Sequence, residues 1–261
     1  MTAIHERAHA PWQVQSFGGG VQSAALAILN ATGRVTPRAD LAIFADPGSE
    51  EQGTYDLLPV YRDWLAARGY ELVTVTATEG PLLRYLETRS TVIPIHSPTM
   101  LGHRQCTNKW KLSPIKRYAR AQGCTALTQQ LGISVDEFYR VKPARDKWIT
   151  NRWPLVELHL TRADCRAIIE AEGLPVPPKS ACWFCPFQQT SRWQWRAIER
   201  PEEFERAAQL EDRLNERQQR KGKPSVYLSR RCQPLRTVVS GDQMTLDDAM
   251  DGAECEGVCF V

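Results

Sequence analysis

No stretch of this chain approaches the roughly 18 consecutive apolar residues that a membrane-crossing helix needs. The segment from Met1 to Pro11 carries two histidines and none of the apolar core of a secretory leader. The expectation is a cytoplasmic protein with no membrane partner. Internal repeats and low-complexity tracts are also missing, which excludes solenoids and linker-dominated chains. Eight cysteines in 261 residues (Cys106, Cys124, Cys165, Cys182, Cys185, Cys232, Cys255 and Cys259) are too few for a disulfide-built scaffold, so they read first as metal or redox ligands. A Gly-Lys-Ser/Thr triplet occurs nowhere, which excludes the P-loop kinase type of phosphate site.

What is present is a globular composition, 42% hydrophobic with a mean hydropathy of -0.42, long enough to bury a substantial core. Its formal charge of +3 conceals an asymmetry. The last 21 residues hold Asp242, Asp247, Asp248, Asp251, Glu254 and Glu256 with no Lys or Arg, leaving residues 1–240 with a surplus of nine positive charges. A basic body with a short acidic tail suits an anionic partner such as a nucleotide or nucleic acid, and is equally a common solubility pattern.

The first 80 residues read as strand-helix-strand alternation. Trp12 to Phe17 is a strand, Gly18-Gly19-Gly20 a tight turn, and Gln22 to Ala31 a largely apolar helix closed by Gly33. Leu41 to Ala45 is a second strand. An amphipathic helix runs from about Thr54 to Ala67 on Tyr55, Leu58, Tyr61 and Leu65, followed by the strand Glu71 to Thr76. Further on, Ser113-Pro114 opens a helix ending near Gly123, Thr125 to Ile133 is a strand, and Thr161 with Asp164 makes a capping box for a helix stopping at Gly173. Pro175, Pro177 and Pro178 break the chain, and Glu202 to Arg220 is a charged helix. This order predicts a three-layer α/β/α fold with a mostly parallel sheet over residues 1–190, a helical extension over 191–240 and an acidic, cysteine-bearing tail over 241–261.

Ser16-Phe17-Gly18-Gly19-Gly20-Val21-Gln22-Ser23 lies between strand and helix, where backbone N–H groups and the positive helix end can hold phosphate oxygens. An ordinary strand-to-helix turn would use the same glycines. Asp46-Pro47-Gly48 follows the second strand, and it too has a plain turn as its alternative. Cys106-Thr107-Asn108-Lys109-Trp110-Lys111, ending at Pro114, precedes Cys182-Trp183-Phe184-Cys185-Pro186 by 76 residues. A Cys-x-x-Cys sets two thiolates on one turn, where they can grip one metal centre. Arg104 to Arg120 holds six basic residues and no acid, a pattern that also fits a solvated helix face. Trp183, Trp193 and Trp195 stand among Arg192 and Arg196, suited either to stacking on an unpaired base or to packing a core.

Taken in this order, the motifs resemble the phosphoadenosine phosphosulfate reductase family, a branch of the PP-loop, adenine-nucleotide α-hydrolase-like proteins. Gln22 stands where the ATP-pyrophosphatase loop has Asp, and Thr107 stands where the iron–sulfur reductases have the second cysteine of a pair. The resemblance implies a nucleotide site at Ser16, Phe17, Gly18, Gly19, Gly20, Gln22, Ser23, Asp46, Gly48, Gly132 and Arg140, filled by ATP or a sulfonucleotide with Mg2+. It implies a four-iron four-sulfur cluster on Cys106, Cys182 and Cys185, to which a zinc site on the same residues is the alternative. A fourth position is then left for His103, Cys124, Cys232, a tail cysteine or sulfide. Lys109 and Lys111 would face phosphate or a sulfonyl group, and Cys255 and Cys259 would act on sulfur. The expected reaction is ATP-dependent, adenylylating sulfur transfer to tRNA, DNA or a small acceptor, supplied by a donor such as a cysteine desulfurase. The rivals are a sulfonucleotide reductase that uses Cys255 with thioredoxin, and a zinc-stabilised nucleic-acid-binding protein without catalysis.

Overall fold

The computed structural model describes residues 11–240, which form two units. Unit 1 comprises residues 11–78 and 109–181, and unit 2 residues 79–108 and 182–240. Among the described residues no helix is long and apolar enough to cross a membrane.

Unit 1 is built on β1 (Trp12–Phe17), β2 (Leu41–Asp46), β3 (Leu72–Thr76), β6 (Leu127–Leu131) and β7 (Ile149–Arg152). They form one sheet in the order β3-β2-β1-β6-β7, every neighbouring pair parallel. Helices cover both faces, so the three-layer α/β/α architecture expected from the alternation is the one observed. The period of two in β2 explains the layering. Ala42 and Phe44 join the cluster under α1 (Val21–Ala31), α2 (Gln52–Ala66), α5 (Pro154–Glu157) and α6 (Arg162–Ala171). Leu41, Ile43 and Ala45 face the opposite cluster, with Ile115 and Ala119 of α4 (Ser113–Ala121). Thr161 caps α6 as expected, its hydroxyl accepting from the Asp164 amide while Asp164 accepts from the Thr161 amide.

α1 is buried on almost every side, from Val21 to Asn30. Beneath it the sheet carries polar side chains that satisfy one another. Asn30 Nδ2 donates to Gln15 Oε1 at 3.2 Å and to Gln130 Oε1 at 3.0 Å, and Tyr70 Oη donates to Gln15 Oε1 at 3.1 Å. Gln15 Nε2 in turn donates to the Ser23 carbonyl at 2.7 Å, which fixes the first turn of α1 over β1.

Unit 2 holds α3 (Leu82–Thr88), the antiparallel hairpin β4 (His96–Ser97) and β5 (Met100–Leu101), and α7 (Thr190–Glu199), α8 (Pro201–Gln219) and α9 (Leu235–Ser240). Its irregular segments are fastened by single polar side chains. Glu211 of α8 accepts from the Leu228 amide at 2.7 Å and the Leu235 amide at 2.8 Å. Burial nevertheless wins over those two bonds and pushes the Glu211 carboxyl up to about 7.

Candidate nucleotide site and cysteine turn

In a sheet ordered this way the chain leaves β1 toward β2 and returns to β6 on the other side, so the switch point lies between β1 and β6. Ligands of such sheets bind outside the carboxyl ends of the strands at that point. Two loops of this chain meet there. Gly18-Gly19-Gly20 leads from β1 into α1, with Gly19 at φ +78°, a conformation that favours glycine. A Cβ on Gly19 would lie 2.7 Å from Thr54 Cγ2, so the residue is also fixed by contact. After β6, Gly132 presses on α1 so closely that a Cβ would lie 2.9 Å from Ser23 N and Cα.

Gly20 caps α1, whose first turn has no acidic side chain. Ser23 Oγ donates to the Gly20 carbonyl at 2.9 Å and accepts from the Gly20 amide at 3.2 Å. Ser23 is thereby spent on shaping the turn. Gln22 Oε1 accepts from Arg162 Nη1 at 3.3 Å, which brings the first residue of α6 beside the loop. Three hydroxyls in unit 1 are buried without a hydrogen-bond partner among the described residues: Ser16 Oγ on β1, Ser49 Oγ after β2 and Thr54 Oγ1 in α2. A buried hydroxyl left unpaired costs about 1–3 kcal/mol, so a ligand or ordered water is the natural partner.

The loop after β2 supplies a buried carboxylate that the sequence did not single out. Glu50 Oε1 lies 3.0 Å from Lys111 Nζ, and Ser180 Oγ lies 3.1 Å from Glu50 Oε2 and 2.5 Å from the Gly18 carbonyl, to which it donates. The proline segment places Ser180. Tyr61 Oη donates to the Pro175 carbonyl at 2.8 Å, Pro178 packs over Gly53, and the Glu51 amide donates to the Ala181 carbonyl at 3.0 Å. Asp46 accepts from the Gly48 amide and from Tyr55 Oη, both at 2.7 Å. Burial first, then this bond to Asp46, drives the Tyr55 phenol well above its ordinary range, so it stays a donor.

The predicted nucleotide residues therefore fall into groups. Ser16, Phe17, Gly18, Gly19, Gly20, Gln22, Ser23 and Gly132 gather at the β1–α1–β6 junction, while Asp46 and Gly48 shape the neighbouring loop. Arg140 lies on the short 3-10 helix Val135–Arg140 and pairs with Glu137 at 2.6 Å. Lys109 and Lys111 lie on the single π-helical turn Thr107–Leu112, Lys111 engaged by Glu50. Nothing in the composition flagged Glu50 or Ser180. The signal for Ser180 was its place after a run of prolines, which the sequence treats only as a break.

In unit 2, Cys182 and Cys185 are half-buried on one turn closed by the Cys185 amide donating to the Cys182 carbonyl at 2.9 Å. Side chains fasten this turn. Gln188 Nε2 donates to the carbonyls of Cys182 and Trp183 at 3.1 and 3.0 Å, the fully buried Arg196 donates to Trp183 O, and His96 Nε2 donates to Pro186 O at 3.0 Å. Burial lowers the pKa of His96, against the opposing pull of its bond to Pro186. Cys106 belongs to the same unit and is anchored through its amide to Val92 O at 3.0 Å. Among the described residues, no three His, Cys, Asp or Glu side chains are arranged to hold one metal ion. Cys182 and Cys185 thus share one turn, and Cys106 lies in the same unit on a separate stretch of chain.

Cys124 and Cys165 are buried in unit 1, where desolvation raises both thiols, Cys165 to about 12, as expected of inert core cysteines. Trp183 and Trp193 are buried, while Trp195 is exposed beneath the Arg192 guanidinium at 3.8 Å. Cys255 and Cys259 lie outside the described residues.

No family model matches the chain, and no curated protein matches it. Among solved structures it is similar to the U34-tRNA thiolase NcsA from Methanococcus maripaludis with its four-iron four-sulfur cluster. The identity is 16% and the TM-score 0.43, over 75% of this chain and 68% of that chain. A similarity that loose fixes neither fold nor chemistry.

Proposed function

We propose that unit 1 binds ATP at the carboxyl edge of its sheet and uses it to adenylylate an acceptor that then receives sulfur. The observation that carries the nucleotide part is the junction of β1, α1 and β6. There a glycine turn and a helix N-terminus free of acidic side chains stand in the unit whose Ser16, Ser49 and Thr54 hydroxyls lack partners. Amides of Gly18 to Ser23 would hold phosphate oxygens, and Lys111, oriented by Glu50, would offset charge on the α-phosphate. An acceptor oxygen attacks the α-phosphorus and pyrophosphate leaves. Hydrosulfide, or the terminal sulfur of a persulfide from a donor such as a cysteine desulfurase, then bonds to the acceptor carbon, and AMP leaves with the oxygen; after the persulfide route a second thiol cleaves the remaining S–S bond and ends as the disulfide with the donor. Adenylylation turns a poor leaving oxygen into a good one.

The sulfur assignment rests on the Cys182-x-x-Cys185 turn and on the family resemblance of the motifs. A cluster or zinc on Cys106, Cys182 and Cys185 belongs to the same proposal, and none of the steps above depends on it. Incubating anaerobically purified protein with ATP, tRNA and a sulfide source should release AMP and pyrophosphate and leave sulfur on the RNA. Sulfite released from adenylylsulfate, with no ATP consumed, would replace this reading by the reductase. Iron and acid-labile sulfide that fall together in Cys106→Ser and Cys182→Ser would support the shared cluster, and full iron in Cys106→Ser would remove that residue from it.

A further inference from the structure

Unit 2 contains a cavity of about 380 Å³ that the nucleotide reading does not use. Arg89, His103, Arg217, Lys221 and Lys223 line it, and no Asp or Glu does. Its apolar lining comes from Ile93, Ile95, Leu214 and Val226, with Met100 of the β4–β5 hairpin beside them, 60% exposed.

The ordinary explanation for basic residues at the end of α8 is the helix dipole, which carries about half a negative charge at that end. It accounts for part of the cluster only. Arg89 and His103 come from a different stretch of chain, and four permanent cations far exceed half a charge. Arg217 is held in place by donating to Leu86 O, and Arg89 lies 5.8 Å from the Tyr85 ring centre. Lys221, Lys223 and His103 make no ion pair with any described residue. Like charges collected around one hollow repel one another unless an anion sits among them.

The walls are built before any ligand arrives. Asn215 of α8 exchanges two hydrogen bonds with the Val226 backbone, both 2.8 Å, and the amides of Lys221 and Lys223 both donate to Gln218 O, at 2.9 and 3.0 Å. On the other side the Gly102 amide donates to Ile95 O at 2.7 Å, and His96 pairs with Tyr227 through two backbone bonds. A preformed hollow of this size with an apolar floor and a cationic rim admits one unstacked base while its phosphates stay outside, a combination that single strands offer and duplexes do not.

We propose that this cavity binds single-stranded nucleic acid, with phosphates on Arg89, Lys221 and Lys223 and one base against Ile93, Ile95, Val226 and Met100. The proposal deepens the sulfur-transfer reading, since it makes the acceptor a nucleic acid and places its strand on unit 2. Its test is anisotropy of a labelled, unstructured RNA oligonucleotide titrated with the full chain over a range of salt. Far-UV circular dichroism and the denaturant midpoint of each variant serve as the control for folding. Arg89→Ala combined with Lys221→Ala and Lys223→Ala should weaken RNA binding at least about tenfold. The slope of log affinity against log salt should fall by about 2, as expected for three lost single-strand phosphate contacts. Met100→Ser should weaken RNA binding several-fold with the salt slope unchanged, and inorganic polyphosphate should compete poorly with RNA. An unchanged slope in the triple variant would overturn the proposal, as would polyphosphate competing on equal terms or the absence of RNA binding. A parent chain that binds RNA in this way and binds no ATP would break the nucleotide reading and leave this one standing.

Discussion

The two units share reliance on buried apolar side chains and differ in how polar groups restrain them. In unit 1 the restraint is spread over many apolar contacts on both faces of a parallel sheet, and a buried polar network beneath α1, around Gln15, Asn30, Tyr70 and Gln130, is shared among four side chains. Unit 2 also buries apolar side chains, among them Leu86, Phe184, Trp193 and Leu210, but its irregular segments each hang on one or two polar residues: Glu211 for 228–235, Asn215 for Val226, and Gln188 with Arg196 for the cysteine turn. A distributed core tolerates local adjustment, whereas a single buried anchor leaves orphaned amides when it is lost. The same division separates the chemistry, with the candidate phosphate site on the distributed unit and the thiol turn on the anchored one.

Three substitutions sharpen that contrast. The largest effect is expected in unit 1, where Leu26 is fully buried in α1 and Leu26→Ala should cost about 2–5 kcal/mol in denaturant unfolding. Hydrogen exchange should then rise across the whole sheet together. Glu211→Ala should cost about 2–4 kcal/mol by leaving the Leu228 and Leu235 amides unpaired, and here the rise in exchange should be confined to unit 2. Equal spreading in both variants would erase the distinction between the units.

The smallest effect depends on pH. The folded Glu211 carboxyl titrates at about 7 against its ordinary value of 4.5, so the folded state binds more protons than the unfolded state between those values. Its contribution is present in full below about 4.5 and is lost as pH rises through 7. Unit 2 should therefore be weaker at neutral pH than at pH 5 by about 2 kcal/mol from this group. Glu211→Gln should flatten that dependence, and denaturant midpoints at the two pH values would reveal it. An identical pH profile in the variant would show that Glu211 is ionised throughout.

Legibility in the sequence follows the same division. The strands and helices of unit 1 announce themselves by period two and period 3.6, and the glycine turn, the Thr161 cap and the order of motifs were all readable. β7 was not, because Ile149-Thr150-Asn151-Arg152 has one buried apolar residue and takes its strand form from pairing with β6. The hairpin β4–β5 is two residues a side and carries no periodicity at all. At the site, the glycines were found because glycine marks local backbone geometry. Glu50 and Ser180 were not, because their roles arise from contacts across the fold, about 130 residues apart in sequence. Cys182 and Cys185 were legible by spacing, while Gln188, Arg196 and His96, which hold their turn, look like any polar residues in the sequence.

The most direct test of the account is a calorimetric titration of ATP into the full chain, into Ser16→Ala and into Thr54→Val. Each substitution removes a buried hydroxyl that has no partner among the described residues and leaves its surroundings filled, so folding stability should stay the same or rise by up to about 1 kcal/mol. If those hydroxyls await the nucleotide, ATP affinity should nevertheless fall about tenfold in each. Undiminished ATP binding in both variants, or no ATP binding by the parent chain, would contradict a nucleotide site at the carboxyl edge of this sheet.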